Sequence, residues 1–438
     1  MDYTGLMNYL WRTGQMTWRE FYAATGERVR VVSEGEPDET TPGVWIAAEV
    51  TVDGERRRGC VAVGKETPVP DGAVLCVTEA HSTPVLGVTD RQVIQIEVAP
   101  PPAAVCCYDG LRAGVGGDGC TRRVAEMDSL HRTSLYTSLM VERLQRKTQR
   151  IAQIFAASDQ DWNQTFHVLL LTAMGGDRNR EAFASLASKA TATMVSREKG
   201  SVARLEALLL GTAGFLFGGS NRRLDRRDGD DYDYDFKDDY TLMLSDEARH
   251  LFTKYSIVPL KSGEWNLAGL YPANHPAVRL AETASLMSKK DFMLDGVLKC
   301  RTSGDVEELF DATASEYWRT HYKPSGGEST PSDKRIGRAK ARLIGINLAA
   351  PLMFAYGRNT GIEELCDRAL DLLTTIPPEK NRLLERWYAG GCTAESGFES
   401  QALLELETQY CAHGCCADCP VGQTALNHHA LLVHGGLV

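Results

Sequence analysis

The fold class of most of the chain is decided by the stretch Met140-Val-Glu-Arg-Leu-Gln-Arg-Lys-Thr-Gln-Arg-Ile-Ala-Gln-Ile-Phe155. Its apolar residues recur every three or four positions, which is the spacing of one helix face, and neither Gly nor Pro interrupts it. Further patterns of this kind follow from residue 161 to residue 411. The sequence therefore predicts a large all-helical region that begins near residue 126.

The residues before this region read differently. Short runs rich in β-branched residues are separated by turns that contain Gly, Pro or Asp, which is typical of strands. The run Pro100-Pro101-Pro102 cannot continue a central strand and closes the series. We therefore predict an α+β protein with a small β-rich domain over 1–105, a linker over 106–125 that includes the Gly-rich residues 114–119, and a helical domain over 126–438.

Composition limits the function classes. The chain has 438 residues, with 48 basic and 58 acidic side chains and a net charge of −10. That balance disfavours broad electrostatic coating of nucleic acid or anionic lipid, although a local basic patch is compatible with it. No run approaches the roughly 20 apolar residues of a membrane span, and the N-terminus lacks a secretory signal. We expect a cytoplasmic protein that does not bind membranes.

Several segments in order along the chain resemble a bacterial family known as domain of unknown function 2851 (DUF2851). They are Tyr9-Leu10-Trp11, residues 73–98, Val141-Glu142-Arg143-Leu144, residues 205–215, Asp238-Asp239-Tyr240, residues 271–276 with Arg279, Ile346-Asn347 and Ser400-Gln401. The resemblance implies an N-terminal part similar to a restriction-endonuclease-type core. In such a core an Asp on one strand and a Glu on the next bind a divalent cation that activates water for attack on phosphate.

This sequence departs from that pattern at the positions that matter for catalysis. Gly43 stands at the Asp position, Ala62 at the Glu position and Gly64 at the position of a His, whereas Lys65 is retained nearby. Neither Gly nor Ala can ligate a cation. The resemblance therefore implies a nuclease-like scaffold that has lost its catalytic pair, so enzymatic activity is uncertain and we lean against it.

Two alternatives stay open. The first is an active metal-dependent nuclease or phosphoesterase whose site is displaced onto neighbouring charges, although such charges are more typical of solvated turns and strand faces. The second is an iron–sulfur protein that responds to redox state. The charges available for a displaced site are Asp38, Glu39, Glu49, Asp53, Lys65 and Glu66.

The twelve cysteines are the main oddity of the composition, and a group of them forms the motif Cys411-Ala-His-Gly-Cys415-Cys416-Ala-Asp-Cys419. Cys411, Cys416 and Cys419 give the spacing C-x4-C-x2-C, which suits an iron–sulfur cluster or zinc. Cys120 is the expected fourth ligand. The alternative is a set of reduced, buried thiols, and the rival ligands are Cys392, Cys415, His413, His428 and His429.

Two weaker signals concern partners. Arg143, Arg146, Lys147 and Arg150 recur on one helix face and could contact a nucleic acid or a protein, although a solvated helix face is the commoner cause. Asn274 and His275 precede a predicted helix start at Pro276, and Arg279 follows one turn later. This arrangement suggests an anion site, although ordinary capping by Pro276 and a His275 that fills an apolar position are the commoner explanation.

Overall fold

A computed structural model describes residues 3–17, 19–64, 67–79, 93–113, 118–217 and 238–433. A β-rich N-terminal region is followed by a large helical region, which confirms the predicted fold class. Within the described residues, no helix combines the length and the apolar character that crossing a membrane requires.

The chain divides into two compact units that are not contiguous in sequence. The first unit combines Met1–Leu139 with Lys380–Thr393 and Ala402–Val438, and the second combines Met140–Glu379 with Ala394–Gln401. This division differs from the predicted boundaries at 105 and 126. The reason is that the C-terminal segment, which carries the cysteine motif, packs with the N-terminal residues.

The first unit is built on one mixed sheet. Its strand order is β1-β2-β4-β5-β6-β7, and β3 pairs with β4 at one side. Neighbours from β1 to β5 are antiparallel, whereas β5, β6 and β7 are parallel. The strands are β1 Glu20–Tyr22, β2 Arg28–Ser33, β3 Glu36–Pro37, β4 Val44–Val52, β5 Glu55–Val63, β6 Ala73–Thr78 and β7 Gln95–Glu97.

Helices cover this sheet and share its core. Leu6, Met7 and Trp11 of the first helix are fully buried in the same apolar cluster as the strand residues and as Leu426 of the last helix. The Arg12 guanidinium also donates to the backbone oxygen of Ala417 at 3.1 Å. The helices are α1 Thr4–Arg12, α2 Pro102–Ala113, α3 Asp118–Glu126, α15 Glu385–Ala389 and α17 Pro420–Val433.

The predicted linker over 106–125 holds parts of two helices instead. Pro102 begins α2, because proline is well suited to a first helical position where its missing N–H is not needed. Tyr108 and Leu111 then bury the inner face of this helix. The proline run therefore ends the sheet region as predicted but starts a helix and not a flexible segment. Residues 114–117 of the Gly-rich stretch lie outside the described residues.

The second unit is helical apart from the short antiparallel pair β8–β9, Ala312–Thr313 with Arg335–Ile336. The opening stretch 140–155 lies in α4, as predicted, and α4 and α16 each have residues in both units. The helices are α4 Ser129–Ala157, α5 Trp162–Lys189, α6 Ala192–Glu198, α7 Val202–Thr212, α8 Asp239–Tyr255, α9 Pro276–Lys289, α10 Met293–Lys299, α11 Ser303–Leu309, α12 Arg338–Ile344, α13 Ala350–Thr360, α14 Glu363–Thr375 and α16 Gly397–Glu405.

A buried carboxylate connects three elements of this unit. Glu206 on α7 is fully buried, and its Oε2 accepts hydrogen bonds from Trp318 Nε1 at 3.0 Å and from the Tyr240 hydroxyl at 2.8 Å. Tyr240 belongs to α8, and Trp318 lies in the 3-10 turn Glu316–Arg319. Burial raises the pKa of Glu206 despite these donors. The family-like segments 205–215 and 238–240 therefore meet at a structural tie.

The buried position of Glu206 predicts how the stability of the fold depends on pH. Because the pKa of Glu206 is higher in the folded than in the unfolded chain, its contribution to stability is lost as the pH rises from about 4.5 to 7. Glu206→Gln retains an acceptor for Trp318 and removes the ionisation, so it should reduce this loss. Glu206→Leu leaves the buried Trp318 Nε1 donor without its acceptor and should cost about 1–3 kcal/mol. Urea unfolding at both pH values measures this, and an unchanged pH slope in the Gln variant would contradict it.

Candidate functional site

Gly43, Ala62 and Gly64, which stand where the resemblance implies an Asp, a Glu and a His, lie together at the junction of β4 and β5. Val44 pairs with Ala62 across the two strands, and the Val63 amide donates to the Gly43 carbonyl at 2.8 Å. Ala62 is fully buried. The corner at which a nuclease-like core would hold its cation is therefore formed by small residues.

The backbone at this corner leaves no room for larger side chains. Gly43 and Gly64 have φ values of +85° and +119°, which residues with a side chain rarely adopt. A Cβ atom on Gly43 would lie 2.7 Å from Thr67 Oγ1, and one on Gly64 would lie 2.5 Å from Thr4 Cγ2. Asp or His could not be accommodated here unless the neighbouring residues moved.

Polar side chains without negative charge complete the corner. The Thr67 hydroxyl donates to the Val63 carbonyl at 2.8 Å, and Asn8 Nδ2 donates to the same oxygen at 3.0 Å. Asn8 Oδ1 in turn accepts from Trp45 Nε1 at 3.0 Å. The hydrogen-bonding capacity of the corner is thus used to join α1 to the strands β4 and β5.

The acids that could have formed a displaced site have local partners. Asp38 accepts from the backbone and the hydroxyl of Thr40, which lowers the pKa of Asp38. Glu49 pairs with Arg56 across two strands, and Asp53 accepts from the Arg28 amide at 2.8 Å. Glu39 is exposed, and Lys65 and Glu66 lie outside the described residues.

A metal ion bound by the protein would need several ligating side chains close together. In the part of the chain that the structure describes, no group of three or more His, Cys, Asp or Glu side chains is arranged so that it could hold a metal ion. Among the described residues, the carboxylates of the N-terminal region therefore do not belong to a metal-binding group of three or more side chains.

The four predicted cysteine ligands line one cavity in the first unit. Cys120 comes from α3, Cys411 and Cys416 from the segment after α16, and Cys419 from the residue before α17. The cavity opens to solvent, and its enclosed part leaves about 20 Å³ for the centre of a water-sized molecule. Its other walls are mainly apolar and include Leu111, Trp387, Leu406 and Val421.

Irregular helix geometry presents these thiols to the cavity. A π-helical segment, Leu406–Tyr410, is followed by a 3-10 turn and by Gly414 in the left-handed region. The Cys419 amide then donates to the Cys415 carbonyl at 3.0 Å, which closes a tight turn. Segments of π-helix occur frequently at functional sites because they redirect side chains that a regular helix would space evenly.

A close backbone approach holds this turn against α17. A Cβ atom on Gly422 would lie only 1.8 Å from the carbonyl oxygen of Cys416. Glycine at this position is therefore what allows the cysteine turn to pack on the first turn of α17. The same first turn provides the Val421 and Gly422 amides, which interact with the Cys419 thiol and lower its pKa against the effect of burial.

Burial dominates the protonation of the four thiols. It raises the pKa of Cys411 to about 12 and those of Cys416 and Cys419 to about 11, and it also raises the pKa of Cys120. Neighbouring thiols add to the effect at Cys411, Cys416 and Cys419, whereas Arg386 opposes it at Cys411 and Cys120. All four thiols are therefore protonated at neutral pH, and a bound metal would displace those protons.

Arg386 is the charged residue in the wall of this cavity. Its guanidinium pairs with Glu407, whose Oε2 also accepts from Trp387 Nε1 at 2.9 Å. The guanidinium carbon lies 5.4 Å from the centre of the Trp387 ring. Arg386 Nε is buried and has no hydrogen-bond partner among the described residues. Arg386 could not be found from the sequence, because only the fold brings it near the cysteines.

The rival ligands lie elsewhere. Cys392 is buried and donates to the Thr121 carbonyl at 3.1 Å, and the Cys415 thiol lies near the His413 carbonyl. None of these three residues lines the cavity. The side chains of His428 and His429 lie outside the described residues.

Asn274, His275 and Arg279 are brought together at the start of α9, and each has an internal partner. His275 Nδ1 accepts from the Ala277 amide at 3.1 Å and caps the helix, and burial lowers the pKa of His275 to about 4. Arg279 donates to Asn274 and to the buried carboxylate of Glu282. The neutral imidazole and the paired guanidinium have structural roles here, and the predicted anion site stays a prediction.

The predicted basic face divides into two halves. Arg143 donates to Gln401 Oε1 at 2.6 Å, and Lys147 donates to Asn347 Oδ1 at 3.0 Å, so these two half-buried residues join family-like segments within the second unit. Arg146 and Arg150 are exposed on the same helix. A binding partner would therefore contact Arg146 and Arg150 more readily than Arg143 and Lys147.

A family model described as "Protein of unknown function (DUF2851)" matches residues 5–382. No curated protein and no solved structure matches the chain. The matched range includes Cys120 but ends before the segment 411–419.

The division of the basic face predicts different effects on stability. Arg143→Met should destabilise the protein by about 1–3 kcal/mol, because the buried Gln401 loses a charged hydrogen-bond donor. Arg150→Met is the matched control on the same helix and should change stability by less than about 0.5 kcal/mol. Urea unfolding measures both, and equal losses in the two variants would show that this assignment is wrong.

Proposed function

We propose that this chain, which belongs to the DUF2851 family, is a non-catalytic scaffold that has a nuclease-like N-terminal unit and binds a macromolecular partner. One observation carries the proposal. The corner at which the family resemblance expects an acidic pair is occupied by Gly43, Ala62 and Gly64, and its geometry excludes larger side chains at both glycines.

The topology of the sheet gives further support to the nuclease-like description. In the cores that the resemblance implies, the two catalytic acids lie on adjacent strands. Here β4 and β5 form an antiparallel pair, and β6 continues the sheet parallel to β5. The positions Gly43 and Ala62 therefore lie side by side on neighbouring strands, as the lost pair would have done.

An active enzyme with a displaced site is less well supported. Asp38 and Asp53 bind turn amides, and Glu49 pairs with Arg56. A cation site requires carboxylates that converge and that strongly perturb each other's protonation, and these three do not form such a group.

The cleavage experiment uses the full chain with single-stranded DNA, double-stranded DNA and RNA in the presence of Mg²⁺ or Mn²⁺. We expect no cleavage above that of a sample containing a chelator. The double variant Gly43→Asp/Ala62→Glu should melt at a lower temperature and gain no cleavage, because a Cβ atom on Gly43 would meet Thr67 and because Ala62 is fully buried.

One result of the cleavage experiment would contradict the proposal. Cleavage that requires the divalent cation and disappears in Asp38→Asn or Glu49→Gln would overturn the proposal. These two variants separate an activity of this chain from that of a contaminating nuclease.

The exposed half of the basic face is our proposed contact for the partner. Arg146 and Arg150 are exposed and lie one helical turn apart on α4. If the partner is a nucleic acid, binding should weaken as salt rises, and Arg146→Glu/Arg150→Glu should reduce both the affinity and the salt dependence.

Fluorescence anisotropy of a labelled oligonucleotide at two salt concentrations measures this. The control is Arg249→Glu, a charge reversal of an exposed arginine on another helix, α8. An affinity unchanged in the Arg146/Arg150 variant, or reduced equally in the control, would argue against this contact.

A further inference from the structure

We infer that the cavity lined by Cys120, Cys411, Cys416 and Cys419 binds an iron–sulfur cluster through its four thiolates. This inference is independent of the scaffold proposal, because a cluster could be bound whether or not the chain cleaves nucleic acid. It begins from the grouping of the thiols. Two segments almost 300 residues apart in sequence place four cysteines around one apolar space in the first unit.

The separation of the thiols favours a cluster over a single ion. Zinc bound by four thiolates needs every sulfur about 2.3 Å from one point, which places the sulfurs about 3.8 Å apart. Within the described residues, no three such ligands are arranged around one point. In a cluster at most two thiolates share an iron, so the sulfurs stand around a larger body. Four cysteines that line one cavity without forming a group that could hold a single metal ion fit the second arrangement.

The surroundings offer hydrogen-bond donors to thiolates and cluster sulfurs in an apolar space. Arg386 Nε is a buried donor without a partner among the described residues, and it belongs to a wall of this cavity. An orphaned buried donor costs free energy unless a ligand accepts its hydrogen bond. The Val421 and Gly422 amides at the start of α17 already point to Cys419.

The remaining partners of Arg386 fix its orientation. Glu407 pairs with the guanidinium and also accepts from the buried Trp387. These contacts hold the Arg386 side chain in an orientation in which its Nε has no hydrogen-bond partner among the described residues. We assign Arg386 as a positioning residue that donates to a sulfur of the site. Hydrogen bonds to sulfur and nearby charge are the means by which proteins tune cluster potentials.

The binding step balances without a redox partner. Four S–H bonds of the cysteines break and four bonds from their sulfurs to iron form, while the four bonds that held a preassembled cluster to the thiolates of a cluster donor break and those thiolates take up the four protons. The product would connect α3 to the turn before α17, so the cluster would join the two sequence-distant parts of the first unit.

The experiment is anaerobic purification of the full chain, followed by visible absorption spectroscopy and by counting iron, acid-labile sulfide and zinc. We expect a coloured protein with iron and sulfide in equal amounts. Cys419→Ser should lose most of both. Cys106→Ser is the matched control, because Cys106 is exposed and does not line the cavity, and it should retain them.

A second variant keeps the inference testable if Cys419→Ser does not fold. Arg386→Met leaves all four thiols in place, and it should retain the colour while lowering the reduction midpoint, since a positive charge near the cluster is lost. Arg382→Met, on the exposed side of the same segment, should leave the midpoint unchanged.

Several results of these experiments would contradict the inference. A folded, colourless chain without iron, or one that holds zinc in place of iron, would overturn the inference. So would iron that survives Cys419→Ser and is lost in Cys106→Ser. An unchanged midpoint in Arg386→Met would remove the role assigned to that residue.

Discussion

The structure of the first unit depends on the packing of its C-terminal segment against its N-terminal helices. Cys416, Ala417, Ala425 and Leu426 share one apolar core with α1, α2 and the sheet. Since burial of apolar surface is the main favourable term in folding, a segment that contributes core residues is part of the fold and not an appendage. The close approach of Cys416 to Gly422 sets the position of the cysteine turn within that packing.

This constraint explains why the two candidate sites of the unit have opposite characters. At the β4–β5 corner, Asn8 and Thr67 use their hydrogen bonds to secure backbone atoms, and a Cβ atom on either glycine would meet neighbouring side chains. Around Cys120 and Cys411, by contrast, the packing leaves a space that ionisable thiols surround. The first arrangement supports a scaffold, and the second supports a bound group that reinforces it.

The fold class could be predicted from the sequence because it follows from local spacing, whereas Cys120 lies far from the cysteine motif in sequence, and the metal site stays a prediction. Apolar periodicity identified α4, and the motif spacing selected Cys411, Cys416 and Cys419. The division into units was not predictable, because the return of the C-terminal segment depends on long-range packing. Arg386 was missed for the same reason. The basic face was predicted as one surface, but Arg143 and Lys147 turn toward partners that lie some 200 residues or more away in sequence.

We propose that the space among the four cysteines binds a cluster and is not only a consequence of how the thiols pack. Mössbauer spectroscopy of the full chain, produced with ⁵⁷Fe and kept anaerobic, tests this most directly. If the cavity binds a cluster, we expect quadrupole doublets of tetrahedral, sulfur-coordinated iron that represent nearly all the iron present. A spectrum with only oxygen-coordinated iron, or with no protein-bound iron in a folded sample, would contradict it.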